Sequence, residues 1–471
     1  MFNKEQFIKD ASPILEWISE YLDTVENFSV RAKCKYGEIR DTLPADPPAT
    51  GVNMQEIFSD FKSDILPGIT HWQSPKFFAY FPANSSEPSV QAEFLMAALG
   101  VQGMKWITSP AATELEERMM EWLRKMLGLG ESFTGVIQDT ASVSTLCAIL
   151  AAREKATDYE SNMDGLQGKR LRVYCSTEAH SSIEKAVRIA GIGSKNLVKI
   201  EVDDNCRIIP SRLEETIKKD LKEGFIPACI IGALGTTGTC AIDPLQELGR
   251  ISEKYNVWYH IDAAFAGTAL ILPEFRESVP GIERADSFVF NPHKWMFTNF
   301  DCSAFFVKDP QQLQKTFQLV PAYLRTGTDS QTNDFSNWGI QLGRRFRSLK
   351  LWFVIRSYGI KGIQDRLRHH LRLAEQFEGW VKEHNDLELV TGRNLVVVCF
   401  RYVKEGLDLQ ATNELNERLM EHINASGKIY ISHTFVDGKF TMRLVCAQTH
   451  TEEKHIREAM QVIDQSLNTL A

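Results

Sequence analysis

Between about residues 90 and 300 the chain repeats one pattern, a short apolar run followed by a helical stretch. The runs are GVIQ (135–138), RVYCS (172–176), LVKIEV (197–202), ACIIGAL (228–234), VWYHIDAA (257–264) and SFVFN (287–291). Short runs with little polar alternation suit strands covered on both faces. When helices separate such strands, the strands pair mainly in parallel, because a parallel pair needs a crossover that no tight turn can supply. The expected fold class is therefore α/β with a mainly parallel sheet, and in such sheets ligands bind beyond the C-terminal ends of the strands.

The flanking segments read differently. Ser12-Pro13 has the form of an N-cap and first helical residue, and Ile14, Leu15, Trp17, Ile18, Tyr21 and Leu22 follow at helical spacing. That stripe needs a partner surface. A Pro-rich extended linker, DTLPADPPATG (41–51), leads to a second amphipathic segment, MQEIFSDFKSDILPG (54–68), and then to the aromatic-dense HWQSPKFFAYFP (71–82). A polar stretch, RTGTDSQTNDFSNWG (325–339), separates the α/β region from a long helix expected to begin near Leu349. Beyond it, LELVTGRNLVVVCFRY and KIYISHTFVDGKFTMRLVC, with two helical runs, indicate a smaller α+β domain.

Composition removes several classes. A net charge of −8 gives no basic surface for nucleic acid or an anionic membrane. The N-terminal MFNKEQFIKDASPILEW carries charge throughout and has no apolar core of a signal peptide. No apolar run reaches the ~18 residues of a membrane span. The nine cysteines are scattered without a C-x-x-C pair, so neither a disulfide framework nor a metal site is expected. A cytoplasmic protein with reduced thiols is the expectation.

Chemistry is suggested first by NPHKW (291–295). Lys294 follows an apolar strand and precedes Trp295, Met296 and Phe297. An ammonium in such surroundings pairs, loses its proton, or is converted to a covalent bond. Asp262 ends the strand VWYHID, and Ala264, two residues on, points to the same side and leaves room for a flat ring. Taken alone, Asp262 is equally well read as a helix cap. Asp139, Thr140 and Ser142 lie at a strand-to-helix turn, where free amides and hydroxyls can hold a phosphate or simply cap the helix. GALGTTGTC (232–240) offers Thr236 and Thr237, and YCSTEAHSSIEKA (174–186) places His180 between a strand and a helix. Four groups at four strand ends describe a site for a flat cationic ring bearing a phosphate and an aldehyde. That molecule is pyridoxal 5′-phosphate (PLP). Lys294 would hold its aldehyde as a Schiff base, Asp262 would keep the ring nitrogen protonated, Thr140 and Ser142 would hold the phosphate, and His180 would stack on the ring.

The chain resembles the group II PLP-dependent amino acid decarboxylases, nearest the aromatic-L-amino-acid decarboxylases. The resemblance spans almost the whole sequence and is carried by PGITHWQSPKFFAYFP, TSPAATELE, AHSSIEKA, HIDAAFAG, ADSFVFNPHKW, NFDCSA and LGRRFRSLKLWFVIRSYG in that order. It implies the aspartate-aminotransferase-like fold type I, with a seven-stranded sheet in the large domain. It also implies a homodimer whose N-terminal helices pack on the partner, giving the stripe at 14–22 its surface. The corresponding divisions are an N-terminal helical segment at 1–85, a PLP-binding α/β domain at 86–350 and a small α+β domain at 351–471. Lys294, Asp262 and His180 match the cofactor-bearing lysine, the pyridinium partner and the stacking histidine. Thr140, Ala141, Ser142, Thr237, Ala264, Asn291 and His293 fall at or beside cofactor-contact positions.

The resemblance further implies loss of CO2 from an aromatic amino acid to give an arylalkylamine. Protonation of the carbanion would fall to Tyr323, in a lid expected at 318–339. Trp72, Tyr80, Phe81 and Pro82 match positions that wall an aromatic side chain, with Lys76 expected to face solvent. Gly343 matches the glycine of the aromatic branch, where histidine-specific relatives tend to carry serine. Gln102 and Met104 replace more apolar residues of animal relatives, in a segment that reaches the partner's pocket, which leaves the choice among tyrosine, DOPA, 5-hydroxytryptophan, tryptophan and phenylalanine open. Other readings are an aminotransferase or aldehyde synthase of the same fold, and a non-catalytic PLP-binding scaffold, which would have little need of Lys294 and Tyr323 together. The GIGSKN of 191–196 lacks the third glycine of a nucleotide-binding loop.

Overall fold

The computed structural model describes residues 2–319 and 332–470 of the 471. The chain divides into two compact units, Ala83–Leu371 and a second made of Met1–Pro82 with Arg372–Ala471. In the first unit the strands are β1 (Thr134–Gln138), β2 (Leu171–Ser176), β3 (Leu197–Ile200), β4 (Ile226–Ala233), β5 (Trp258–Asp262), β6 (Ser287–Phe290) and β7 (Ser303–Val307). They form one seven-stranded sheet in the order β1-β7-β6-β5-β4-β2-β3. The run β3, β2, β4, β5, β6 is parallel, as the buried apolar runs required. β7, which the six runs did not include, is antiparallel to both β1 and β6. Its SAFFV sequence is buried throughout, and the connection from β6 holds one helical turn, Pro292–Trp295.

The helix Ala141–Ala156 packs on the sheet through Ala148, Ala151 and Ala152, small residues that allow close approach. Between them runs a buried polar chain. Trp258 Nε1 donates to Ser287 Oγ at 2.8 Å, His260 Nδ1 lies 2.9 Å from the same hydroxyl, and His260 Nε2 lies 3.3 Å from Thr145 Oγ1. Burial lowers the His260 pKa from 6.5 to about 4. The unfolded chain therefore binds more protons than the folded one between these values, and the stability from keeping His260 neutral is lost as pH falls through that window. Between pH 7.5 and pH 5 the native protein should lose about 2 kcal/mol more than a His260→Gln variant. Urea midpoints at the two pH values measure this; equal losses in both proteins would remove His260 as the cause.

In the second unit, β8 (Leu387–Leu389), β9 (Val397–Tyr402), β10 (Ser432–Val436) and β11 (Lys439–Val445) form an antiparallel sheet in the order β10-β11-β9-β8. Asp437 and Gly438, at φ 49° and 74°, make the two-residue turn between β10 and β11, which is the left-handed pair such a hairpin needs. The helices Leu409–Ala425 and Glu453–Leu470 complete the α+β arrangement. The N-terminal helix starts earlier than Ser12-Pro13 suggested. It runs Lys4–Thr24, Asn3 caps it by accepting from Gln6 N, and Pro13 lies inside it. Ser12 Oγ donates back to Ile8 O at 2.8 Å instead of capping. Trp17 packs edge-on against Phe61 and stacks on Tyr21, whose hydroxyl lies 2.9 Å from His71 Nδ1. No residue of this helix is fully buried, and Phe7, Ile8 and Leu15 are exposed. The long helix begins at Arg347 and is broken at Gly359, whose φ of 63° a side chain would resist.

No helix among the described residues is long and apolar enough to cross a membrane, and none of their His, Cys, Asp and Glu side chains group in a way that could hold a metal. All nine cysteines are free, eight of them buried.

Candidate active site

The C-terminal ends of β4, β5 and β6 are bound side by side. Leu234 N donates to Asp262 O (2.9 Å), Ala263 N to Val289 O (2.9 Å) and Asn291 N to Ala264 O (3.0 Å). Alternation along β5 turns Asp262 and Ala264 to an accessible side while Ala263 is fully buried. Asp262 Oδ1 accepts from Ala264 N at 3.0 Å, the local bond that a cap reading anticipates. Its other oxygen has no hydrogen bond among the described residues.

Lys294 lies in the helical turn that follows β6. Its side chain is only partly accessible, and burial lowers its pKa, opposed by the charges of Asp262 and Cys240. A lowered pKa makes the amine a better nucleophile at neutral pH. His180 sits at the entrance to the helix Ser182–Ile189, where its Nδ1 accepts from Ser182 N at 3.1 Å and lies 2.7 Å from Ser182 Oγ. Partial desolvation lowers its pKa, Asp262 raises it and Lys294 lowers it, so the three groups share one electrostatic field. Asn291 and His293 flank the lysine and are buried. The His293 ring is committed to the fold: its Nδ1 accepts from Cys302 N at 2.8 Å, and burial pushes its pKa down to about 3.

The helix Ala141–Ala156 begins at the end of β1. Its N-cap is Thr140, which makes no side-chain cap bond, so the hydroxyl is not spent on its own helix. Ser142 is exposed on the first turn. Asp139 is drawn elsewhere: Arg347 Nη2 lies 2.5 Å from one oxygen and Gln341 Nε2 donates to the other at 2.9 Å. At the turn after β4, Thr237 is exposed, whereas Thr236 is buried and accepts from Ala241 N. These residues fit PLP. Asn291 Oδ1 is a buried acceptor with no partner among the described residues, the first helical turn has an uncapped start, and Ala264 leaves space beside the carboxylate.

The structure joins Gln102 to Gly343. Gln102 Oε1 accepts from Arg344 N at 2.8 Å, and a Cβ on residue 343 would come within 3.1 Å of Gln102 Nε2. The glycine thus makes room for the amide, whose NH2 is the end left to donate. Met104 is held through its carbonyl by Ser336 N at 3.0 Å. In the other unit Trp72 stacks on Phe77 and Tyr80, and the Tyr80 hydroxyl lies 3.1 Å from that of Tyr430. Phe81 lies under the Arg443 guanidinium at 5.3 Å, and Pro82 is buried. Lys76 does not face solvent as expected: its side chain is 12% exposed and pairs with Glu458 at 3.2 Å. Tyr323 lies outside the described residues, as do positions 320–331 of the expected lid.

Sequence reasoning missed the arginines. LGRRFRSLK served only as a resemblance, yet Arg344 is buried, pairs with Glu116 at 2.5 Å and donates to Ile137 O at 2.8 Å, tying this segment to β1. Arg443 was overlooked in the same way. Its only signal was a cation inside the apolar run TMRLVC.

A partly buried lysine facing an aspartate and a histidine across the ends of a mainly parallel sheet, with an uncapped helix start after β1, defines a PLP-dependent enzyme of fold type I. The family model of the pyridoxal-dependent decarboxylase conserved domain matches residues 37–403, and the chain belongs to that family. It is 40% identical to tyrosine decarboxylase 2 of Narcissus pseudonarcissus over 99% of this chain and 95% of the relative. It is also 40% identical to phenylacetaldehyde synthase of Arabidopsis thaliana, over 99% and 97%. The structure of Oryza sativa TDC with PLP and tryptamine superposes with a TM-score of 0.96 at 34% identity, covering 100% of this chain and 99% of that one.

Proposed function

We propose that the protein decarboxylates an aromatic L-amino acid to the arylalkylamine and CO2. The observation that carries this reading is the shared field of Lys294, Asp262 and His180 beside the open helix start at Thr140. Bound there, PLP supplies an electron-poor ring that takes up the electron pair left by the departing CO2. Lys294 Nζ would carry the cofactor covalently, and Asp262 would hold the proton on the ring nitrogen. His180, oriented by Ser182, would cover the ring face. Thr140, Ala141 N and Ser142 would surround the phosphate, and Thr237, Asn291, His293 and Ala264 would line the rest of the cofactor pocket. Trp72, Tyr80, Phe81, Pro82, Met104, Gly343 and the donor end of Gln102 are the residues proposed for the substrate side chain. Product identification by mass spectrometry across tyrosine, DOPA, 5-hydroxytryptophan, tryptophan and phenylalanine tests the reading. Amine from none of them would defeat it.

The relatives named phenylacetaldehyde synthase favour a second reading, in which the same amino acid with O2 and water yields aldehyde, CO2, ammonia and hydrogen peroxide. Tyr323 is the proposed discriminator, as the residue whose hydroxyl delivers a proton to the α-carbon. Tyr323→Phe should keep CO2 release within about tenfold of the native rate and change the main product from amine to aldehyde. Amine and peroxide assays with and without O2 read this directly. Native amine yield in the variant would show that the proton comes from elsewhere.

The proposal extends to a cytoplasmic homodimer, with 1–85 as the dimerisation segment, 86–350 as the PLP-binding domain and 351–471 as the small domain. The exposed Phe7, Ile8 and Leu15 on a helix without a buried residue support the dimer.

A further inference from the structure

Asp139 immediately precedes Thr140, the N-cap of the helix Ala141–Ala156. A carboxylate at that position is a natural competitor for the first amides of the helix, which favour any nearby anion. It makes no such bond. Both its oxygens are engaged from the start of the long helix and the segment before it: Arg347 Nη2 holds one at 2.5 Å and Gln341 Nε2 the other at 2.9 Å. Arg347 is 6% exposed and is itself fixed by Asp301, which lies in the segment after Lys294, through Nε at 3.0 Å and Nη2 at 3.2 Å. Arg345 shares Asp301 at 3.3 Å and reaches Glu93 at 2.7 Å, and the fully buried Lys350 pairs with Glu93 at 2.7 Å. Three cations and three carboxylates thus interlock. Among the described residues, Arg347 is the guanidinium that touches both Asp139 and Asp301.

We propose that Arg347 is a positioning residue that holds the Asp139 carboxylate away from the first turn of the helix Ala141–Ala156, leaving that turn open to the phosphate of the cofactor. The arrangement solves a specific problem. An anion site is weakened by a fixed negative charge one residue away, and a buried guanidinium both neutralises that charge and fixes where it points. Arg347 touches no proposed cofactor-binding side chain. Its effect passes through Asp139, and it is selective for the phosphate over the rest of the cofactor. The inference rests on the reading of the helix start as the phosphate site.

The test measures dissociation constants of PLP and of pyridoxal, which lacks the phosphate, on the apoenzyme of the full chain. Arg347→Gln should weaken PLP by about tenfold or more while changing pyridoxal little. Adding Asp139→Asn to Arg347→Gln should restore most of the lost PLP affinity, because the competing charge is gone. A double variant no better than Arg347→Gln alone, or a single variant that weakens pyridoxal as much as PLP, overturns the proposal. Should Arg347→Gln fail to fold, Asp139→Asn alone decides. Positioning predicts PLP binding at least as tight as in the native protein, whereas a merely structural ion pair predicts weaker binding. Thr140→Ala and Ser142→Ala separate the two levels. If neither alters the preference for PLP over pyridoxal, the phosphate site itself is misplaced. If both do while the Arg347 and Asp139 variants act independently, only the positioning role fails.

Discussion

Lys294→Ala is expected to abolish amine formation, with turnover at least ~10³-fold below the native rate. No other buried lysine among the described residues can stand in. The other buried lysines of the same unit are engaged by carboxylates: Lys350 by Glu93 at 2.7 Å and Lys105 by Asp334 at 2.9 Å. Burial lowers the Lys294 pKa, and its neighbours Asp262 and Cys240 only partly offset the shift. Lys294 therefore combines access to the site with an amine that is readily deprotonated. Two measurements check the assignment. The variant should lose the visible absorbance of the native protein while keeping its melting temperature within a few degrees, since Asp262, whose charge acts on this side chain, is itself partly accessible. Borohydride treatment of the native protein should fix the cofactor on the peptide containing Lys294. A label on Lys105 or Lys350 would overturn the assignment.

Much of this site was legible because its parts sit at strand ends, and strand ends are visible in a sequence as the places where apolar runs stop. Asp262, Lys294, His180 and Thr140 all lie at or just beyond the ends of such runs, and the parallel pairing of β5 and β6 sets two of those ends side by side. What was not legible depends on pairing across the chain. Arg347 and Asp139 are 208 residues apart, and no local pattern links them. Lys76 looked like a solvated lysine because its partner Glu458 is 382 residues away. β7 escaped because its strand follows a loop and a single helical turn instead of a full crossover helix. The start of the first helix was misplaced for a local reason. Ser-Pro is a strong initiation signal, but Asn3 offered an earlier cap, and Ser12 bonds back to Ile8 O within the helix that results. In the α/β unit, periodicity was sufficient for the frame and insufficient for the ion pairs that lock it.

Asp262→Asn separates folding from chemistry at the same position. The substitution preserves size, and an asparagine Oδ1 can still accept from Ala264 N, the bond that Asp262 Oδ1 makes at 3.0 Å. The strand end should therefore keep its geometry, and the melting temperature should change little. The charge is lost, and with it the group that would hold a proton on the ring nitrogen of the cofactor. A ring without that proton is a poorer acceptor for the electrons released with CO2, so the cost appears where charge develops in the transition state. The expected result is a fall in kcat of at least ~10²-fold at saturating PLP, with a smaller change in KM. A second consequence follows from the electrostatics. Asp262 raises the pKa of both Lys294 and His180 against the lowering effect of burial, so its neutralisation should move both further down. The pH midpoint for titration of the Lys294 amine in the apoenzyme should shift to lower pH in the variant. Near-native kcat in a folded variant, or an unshifted midpoint, would mean that Asp262 is a cap for Ala264 and nothing more.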